Sequence, residues 1–181
     1  MGERVDAASG STTDASGETS DAGCETVTGN LVQNPSFELA PSGILSGWKA
    51  DAKGGVVQRL GGAAHCGAWA EVQIPGGTST ASYVGQDIAL DKPVPKGSHV
   101  LATMMLRTLD AELDGTLEVG EVSGPDTARA VTLPADGTWK QFVLEWTLPE
   151  DVSTLWIAFV SRASSARRVG VDHATLVVTP P

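Results

Sequence analysis

The stretch AWAEVQI, residues 68–74, alternates so that Ala70, Val72 and Ile74 fall on one side of an extended chain and Trp69, Glu71 and Gln73 on the other. An aromatic ring beside a carboxylate and an amide suits a pyranose, whose apolar face stacks on the ring while its hydroxyls bond the polar groups. Arg107 and Gln141, from other apolar-patterned segments, add a cation and a second amide. Tyr83 and Trp156 are the further aromatics open to stacking, and Trp156 shares its side with Ala158 and Val160, an unusually apolar set for a solvent face. The candidate carbohydrate-contacting residues are therefore Trp69, Glu71, Gln73, Tyr83, Arg107, Gln141 and Trp156. The plainer reading of Trp69 is a partly exposed surface aromatic beneath a loop.

Other groups bear on different chemistry. In NLVQNPSFE, residues 30–38, Phe37 reads as core, so Glu38 points the opposite way and needs a partner of its own. Solvent, Lys49 or an arginine would each serve. Cys24 and Cys66 are too few for a cysteine-rich zinc site, and no C-x-x-C is present. A bridge between them would pin the chain's entry onto the domain, contributing at most roughly 4 kcal/mol for a loop of about forty residues, and would favour an oxidising compartment. Two unpaired thiols are the alternative. His65, His99 and His173 are scattered and read as surface or satisfied strand histidines. The basic loop RASSARR, residues 162–168, reads as a solvated hairpin tip, with contact to an acidic polysaccharide as its functional alternative. The chain has no G-x-S-x-G elbow, H-E-x-x-H, P-loop or dinucleotide fingerprint, so no catalytic residue is expected and an enzyme is the third choice.

These side chains need a scaffold, and the pattern supplies one. The 181 residues suffice for one domain with a sizeable core. No apolar run approaches the length of a membrane-spanning helix, and the N-terminus lacks the apolar stretch of a signal peptide. Half of the net charge of −10 lies in the first thirty residues, where six acids face Arg4 alone. A phosphate-binding surface needs clustered Lys and Arg, so a chain this acidic, with RASSARR as its one basic cluster, is not expected to bind nucleic acid. Residues 1–29 are Ser, Thr, Gly, Ala and acids without an aromatic, a composition that predicts a disordered linker or stalk. From residue 30 to 181, nine short alternating segments are separated by Gly, Pro and Asp turns: GGVVQRL, AWAEVQI, SYVGQDIAL, SHVLATMMLRT, GTLEVGEV, ARAVTL, TWKQFVLEWTL, STLWIAFVS and VGVDHATLVV. They predict an all-β fold, an antiparallel β-sandwich, with at most one helical turn in DAELDGTL. Phe142, Leu144, Trp146 and Leu148, with Leu155, Ile157 and Phe159, are the expected core between the sheets.

Five segments carry a resemblance: NLVQNPSFE, SGW, GQDIAL, GTWKQFVLEWTLPED and VGVDHATLVV, in that order. Together they resemble the carbohydrate-binding modules of the family 4, 9 and 22 type, which have the galactose-binding-like jelly-roll fold. The resemblance implies a structural calcium ion where the first and last strands meet, with Glu38 and Asp172 as its acidic ligands and backbone carbonyls completing the shell. Calcium takes six to eight hard oxygen ligands, so paired carboxylates are what it needs. One departure is that many relatives carry a second acid where this chain has His173. The resemblance also makes Trp48, Trp139 and Trp146 structural. The linker in turn resembles the spacers behind the anchors of surface lipoproteins.

The sequence thus points to a non-catalytic, monomeric, secreted or cell-surface module, residues 30–181, that binds a polysaccharide or surface glycan without nucleic-acid binding or membrane insertion. The alternative is a structural or adhesive surface domain that keeps the fold without binding sugar.

Overall fold

The alternating segments become strands in the computed structural model, which describes residues 27–37, 47–50, 56–60, 66–76 and 81–181. In chain order the strands are β1 (Lys49–Ala50), β2 (Val56–Leu60), β3 (Ala68–Ile74), β4 (Ser82–Val94) and β5 (His99–Thr108). They continue as β6 (Leu113–Gly120), β7 (Asp126–Leu133), β8 (Lys140–Thr147), β9 (Val152–Ser161) and β10 (Arg167–Thr179). Each of the nine alternating segments overlaps one strand, and β1 is an addition too short to show a period. The helical turn allowed in DAELDGTL is not formed: the chain enters β6 at Leu113, and no helix occurs among the described residues. Of the expected linker, only Val27, Thr28 and Gly29 are described, and Glu38 and Cys24 lie outside the described residues.

The strands form two five-stranded antiparallel sheets, ordered β1-β4-β9-β6-β7 and β2-β3-β10-β5-β8. Sequence neighbours repeatedly fall in opposite sheets, as in a jelly roll. The inward sides meet in a continuous core that includes Val72, Ile74, Met104, Leu106, Leu117, Leu155, Ile157, Phe159 and Leu176, each fully buried. Of the expected β8 set, Leu144 and Leu148 are buried, whereas Phe142 and Trp146 are half-buried against the core because β8 is an edge strand. Arg129 of β7 reaches across the open side of the sandwich to donate to the Val143 carbonyl on β8.

One end of the sandwich is closed by residues 27–37, which form a strap without strand structure. Asn30 ties it to β10 by accepting from the Leu176 N–H at 2.9 Å and donating to the Ala174 carbonyl at 3.3 Å. Leu31 N–H donates to the Leu176 carbonyl, and Ala174 N–H donates to Pro35, both at 2.9 Å. The ladder between β10 and β5 slips between Asp172 and Thr175 at this place. Asn34, Phe37 and His173 all have positive φ. For a fully buried phenylalanine that conformation is costly, and it persists because Phe37 packs on Trp48 at 4.7 Å between ring centroids.

The strap is held to the first sheet by Gln86 of β4, only 3% exposed. Its amide oxygen accepts from Gln33 N–H at 2.6 Å and its amide nitrogen donates to the Gln33 carbonyl at 2.9 Å. A truncation here leaves both backbone groups of Gln33 without those partners in a partly buried site. Gln86→Ala is therefore expected to lower stability by about 2 kcal/mol, read as an earlier urea midpoint with an unchanged slope. A variant within a few tenths of wild type would show that water replaces the amide at no cost.

Candidate functional site

Alternation in β4 and β9 turns Tyr83, Gly85 and Asp87 outward beside Val160, Ala158 and Trp156, their register partners. On the far side of β9, Thr116, Glu118 and Gly120 of β6 pair with the same three residues. The outward face of the first sheet therefore has three rows across its strands. Lys49, Gly85, Ala158 and Glu118 form the middle row, since Lys49 pairs with Gly85. Trp156 stands on one flank and Tyr83 with Val160 on the other. Gly85 and Ala158 keep the centre of the middle row low, and the large side chains on both flanks make a groove of about 340 Å³, within the range of small-ligand sites.

Its chemistry is mixed. Tyr83 is 37% exposed, Trp156 is half-buried, and Val122 at the β6–β7 turn adds apolar surface. The Trp156 ring is fixed by donation from Nε1 to the Glu121 carbonyl at 3.3 Å. It lies so close over Gly120 that a Cβ there would stand 2.7 Å from Nε1, so only glycine fits. Lys49 forms an ion pair with Asp87 that holds the ammonium pKa above its ordinary value, chiefly through their hydrogen bond. Glu118 is half-buried and accepts from the Thr116 hydroxyl. The arrangement offers two aromatic flanks, carboxylate acceptors and an ammonium donor around a shallow floor, which is what a saccharide requires. Of these groups the sequence reading named Tyr83 and Trp156. Ala158 is outward with Trp156 and Val160 as alternation assigns it, while Gly85, Asp87 and Glu118 are additions, although Tyr83, Gly85 and Asp87 already share a side in SYVGQDIAL.

The remaining predicted contacts, Trp69, Glu71, Gln73, Arg107 and Gln141, lie on the outward face of the other sheet, so the predicted set is two groups rather than one site. Trp69 is 7% exposed and does not present a bare ring. The Arg107 guanidinium carbon lies 4.4 Å from the ring centroids of both Trp69 and Trp139, and the two rings meet edge to face at 5.9 Å. Trp139, expected to be structural, is half-buried in this stack on the outer face rather than in the core. Burial pushes the Arg107 pKa below its ordinary value, against the opposing charges of Asp172 and Glu71. Arg107 Nε has no hydrogen-bond partner among the described residues. Glu71 also faces Arg168 at 3.9 Å, while Gln73 and Gln141 are exposed. Arg168 of the basic loop is committed to Asp110, with Nη2 2.7 Å from Oδ1 and its backbone N–H 2.9 Å from Oδ2. Arg167 donates to the neighbouring Ala166 carbonyl.

The two predicted calcium ligands are described unequally, Glu38 lying outside the described residues. Asp172 is fully buried; one oxygen accepts from Cys66 N–H at 2.9 Å and the other from His173 N–H at 2.7 Å. A carboxylate oxygen is the kind of hard donor that calcium takes, and the fit to calcium extends that far. His173 faces Ser36 at 3.5 Å and His99 faces Thr147 at 3.2 Å. Cys66 is buried, and no cysteine among the described residues is free.

The aromatic stack depends on Gly170, where an added Cβ would lie 2.9 Å from Arg107 Cγ and 3.0 Å from the Trp139 ring. Gly170→Ala is expected to cost about 1–3 kcal/mol by overpacking and to change the near-ultraviolet circular dichroism of the tryptophans. An unchanged spectrum and midpoint would show that the stack tolerates the methyl group.

No family model matches the chain, and no curated protein sequence matches it. Solved structures do. The module TmCBM61, determined in complex with β-1,4-galactotriose, is 18% identical with a TM-score of 0.61, covering 83% of this chain and 99% of its own. The CBM22-1 xylan-binding domain of Paenibacillus barcinonensis Xyn10C is 16% identical with a TM-score of 0.55, over 81% of this chain and 92% of its own. The enzymatically active domain of bacteriophage CBA120 tailspike protein 4 is 14% identical at 0.61, but this chain covers 22% of it. At such identities the likeness is one of fold: the chain is a jelly-roll β-sandwich built like those of carbohydrate-binding modules.

Proposed function

We propose that the groove of the first sheet binds a carbohydrate and that the chain acts as a non-catalytic recognition module. The carrying observation is the pair of flanks, Tyr83 and Trp156, standing over a floor of Gly85 and Ala158 with Asp87, Lys49 and Glu118 within reach of ring hydroxyls. Support comes from the two modules above, one determined with β-1,4-galactotriose and the other named as xylan-binding. In this reading the module works outside the cytoplasm, with the segment before the strap as a tether and a Cys24–Cys66 bridge at its root. Trp69 and its neighbours then have a packing role, which moves Arg107, Glu71, Gln73 and Gln141 out of the sugar site. That burial is the one observation favouring a structural or adhesive domain instead.

Titration calorimetry against a panel of neutral and charged oligosaccharides tests the reading. Tyr83 is exposed and bonds no core group in its stacking role, so Tyr83→Ala is expected to weaken binding about tenfold, a loss near 1.4 kcal/mol, with the melting point unchanged. Absence of heat across the panel would favour the structural domain.

Calcium belongs to the same proposal: Asp172 with Glu38 would hold the ion, which would supply positive charge where the strap meets β10. The melting point is then expected to fall when EGTA replaces calcium, the difference reaching about 2.7 kcal/mol at free calcium a hundredfold above its dissociation constant. Asp172→Asn also disturbs the Cys66 and His173 hydrogen bonds, so its midpoint is lower in both buffers. The informative quantity is the calcium-dependent difference, which should vanish in that variant. A wild-type midpoint indifferent to calcium removes the ion.

A further inference from the structure

We infer that the groove discriminates by charge: it takes a glycan bearing protonated amino groups in preference to the matching neutral chain, and turns away one bearing carboxylates. This rests on the groove being the sugar site and adds the class of sugar.

The outward positions of the first sheet carry acids on three of its strands. Asp87 lies on β4, Asp114 and Glu118 on β6, and Asp126 on β7, opposite Gly120. Against them the described lining of the groove offers one cation, Lys49, and its ammonium is already paired with Asp87. Asp114 is occupied in part by the Thr132 hydroxyl at 2.7 Å. Glu118 differs from the others. It is half-buried, it sits in the middle row with Gly85 and Ala158, and Thr116 orients it. A saccharide lying across the strands between Trp156 and Tyr83 must pass this carboxylate. An ammonium substituent there meets a partly desolvated anion and gains a charge-assisted hydrogen bond. A uronate or sulfate there meets like charge, with the nearest cation already engaged by Asp87.

The test compares β-1,4-linked hexasaccharides of glucosamine, glucose and glucuronate, titrated into the full chain in a mildly acidic, low-salt buffer that keeps the amines protonated. The glucosamine chain is expected to bind about fivefold tighter than the glucose chain, the size of a partly exposed charge pair. The glucuronate chain should bind at least about tenfold more weakly than glucose. Raising the salt should shrink the amine preference. Glu118→Gln should bring the glucosamine-to-glucose ratio close to one, whatever it takes from the affinity for glucose itself, and Tyr83→Ala should weaken both without moving the ratio. Equal or better binding of glucose, tight binding of glucuronate, or a ratio that survives Glu118→Gln overturns the charge inference while leaving the sugar site standing. Binding of none of the three overturns the inference, and if the oligosaccharide panel is also silent the sugar site falls with it.

Discussion

Residues 27–37 carry Val32 and Phe37 into the core but belong to no sheet. A buried segment without a ladder has backbone donors and acceptors that must find partners elsewhere. Two side-chain amides meet that demand. Asn30 behaves toward β10 as a strand residue would, accepting from one backbone group and donating to another. Gln86 does the same toward Gln33 from the opposite sheet. Because an amide carries both a donor and an acceptor in one plane, it substitutes for a peptide unit, which neither a hydroxyl nor a carboxylate could do alone. The strap is thereby fastened to both sheets, and Trp48, whose Nε1 donates to the Asn34 carbonyl at 3.1 Å, fills the space beneath.

The docking of the strap has consequences for β10. To offer Ala174 N–H to Pro35, the strand gives up its regular register with β5 after Asp172, and His173 takes a positive φ. The same distortion leaves the buried Asp172 carboxylate accepting from His173 and Cys66 rather than facing solvent. Arg107 feels that charge from the outer face of the second sheet.

Much of this was legible in the sequence, for a simple reason. Period-two alternation is a local property, so the nine strands and the inward sets of β3 and β9 follow from it directly. Alternation assigns a side chain to a face, but it does not say what lies over that face. Trp69 is outward in β3 as alternation assigns it, but its cover is not a local property, because the Arg107 and Trp139 that cover it come from 38 and 70 residues further along the chain. The same limit merged two groups into one candidate site. Tyr83 and Trp156 are neighbours because β4 pairs with β9, and Trp69 and Arg107 meet because both strands flank β10 at Gly170. Pairings of that sequence separation leave no trace in either strand alone.

The two outer faces show how similar ingredients reach opposite ends. Each has tryptophan, carboxylate and a cation around a glycine. On the second sheet the glycine lies under the aromatic stack itself, so Arg107 and Trp139 descend onto Gly170 and the rings are spent on each other. On the first sheet Gly120 seats only the edge of Trp156, while Gly85 and Ala158 leave the middle row low. The cation there, Lys49, is drawn aside to Asp87 instead of lying over a ring. A cation between two tryptophans makes a packed surface; a cation held away from them leaves aromatic flanks uncovered. The position of one positive charge relative to the rings therefore separates the face that is closed from the face that can still receive a ligand.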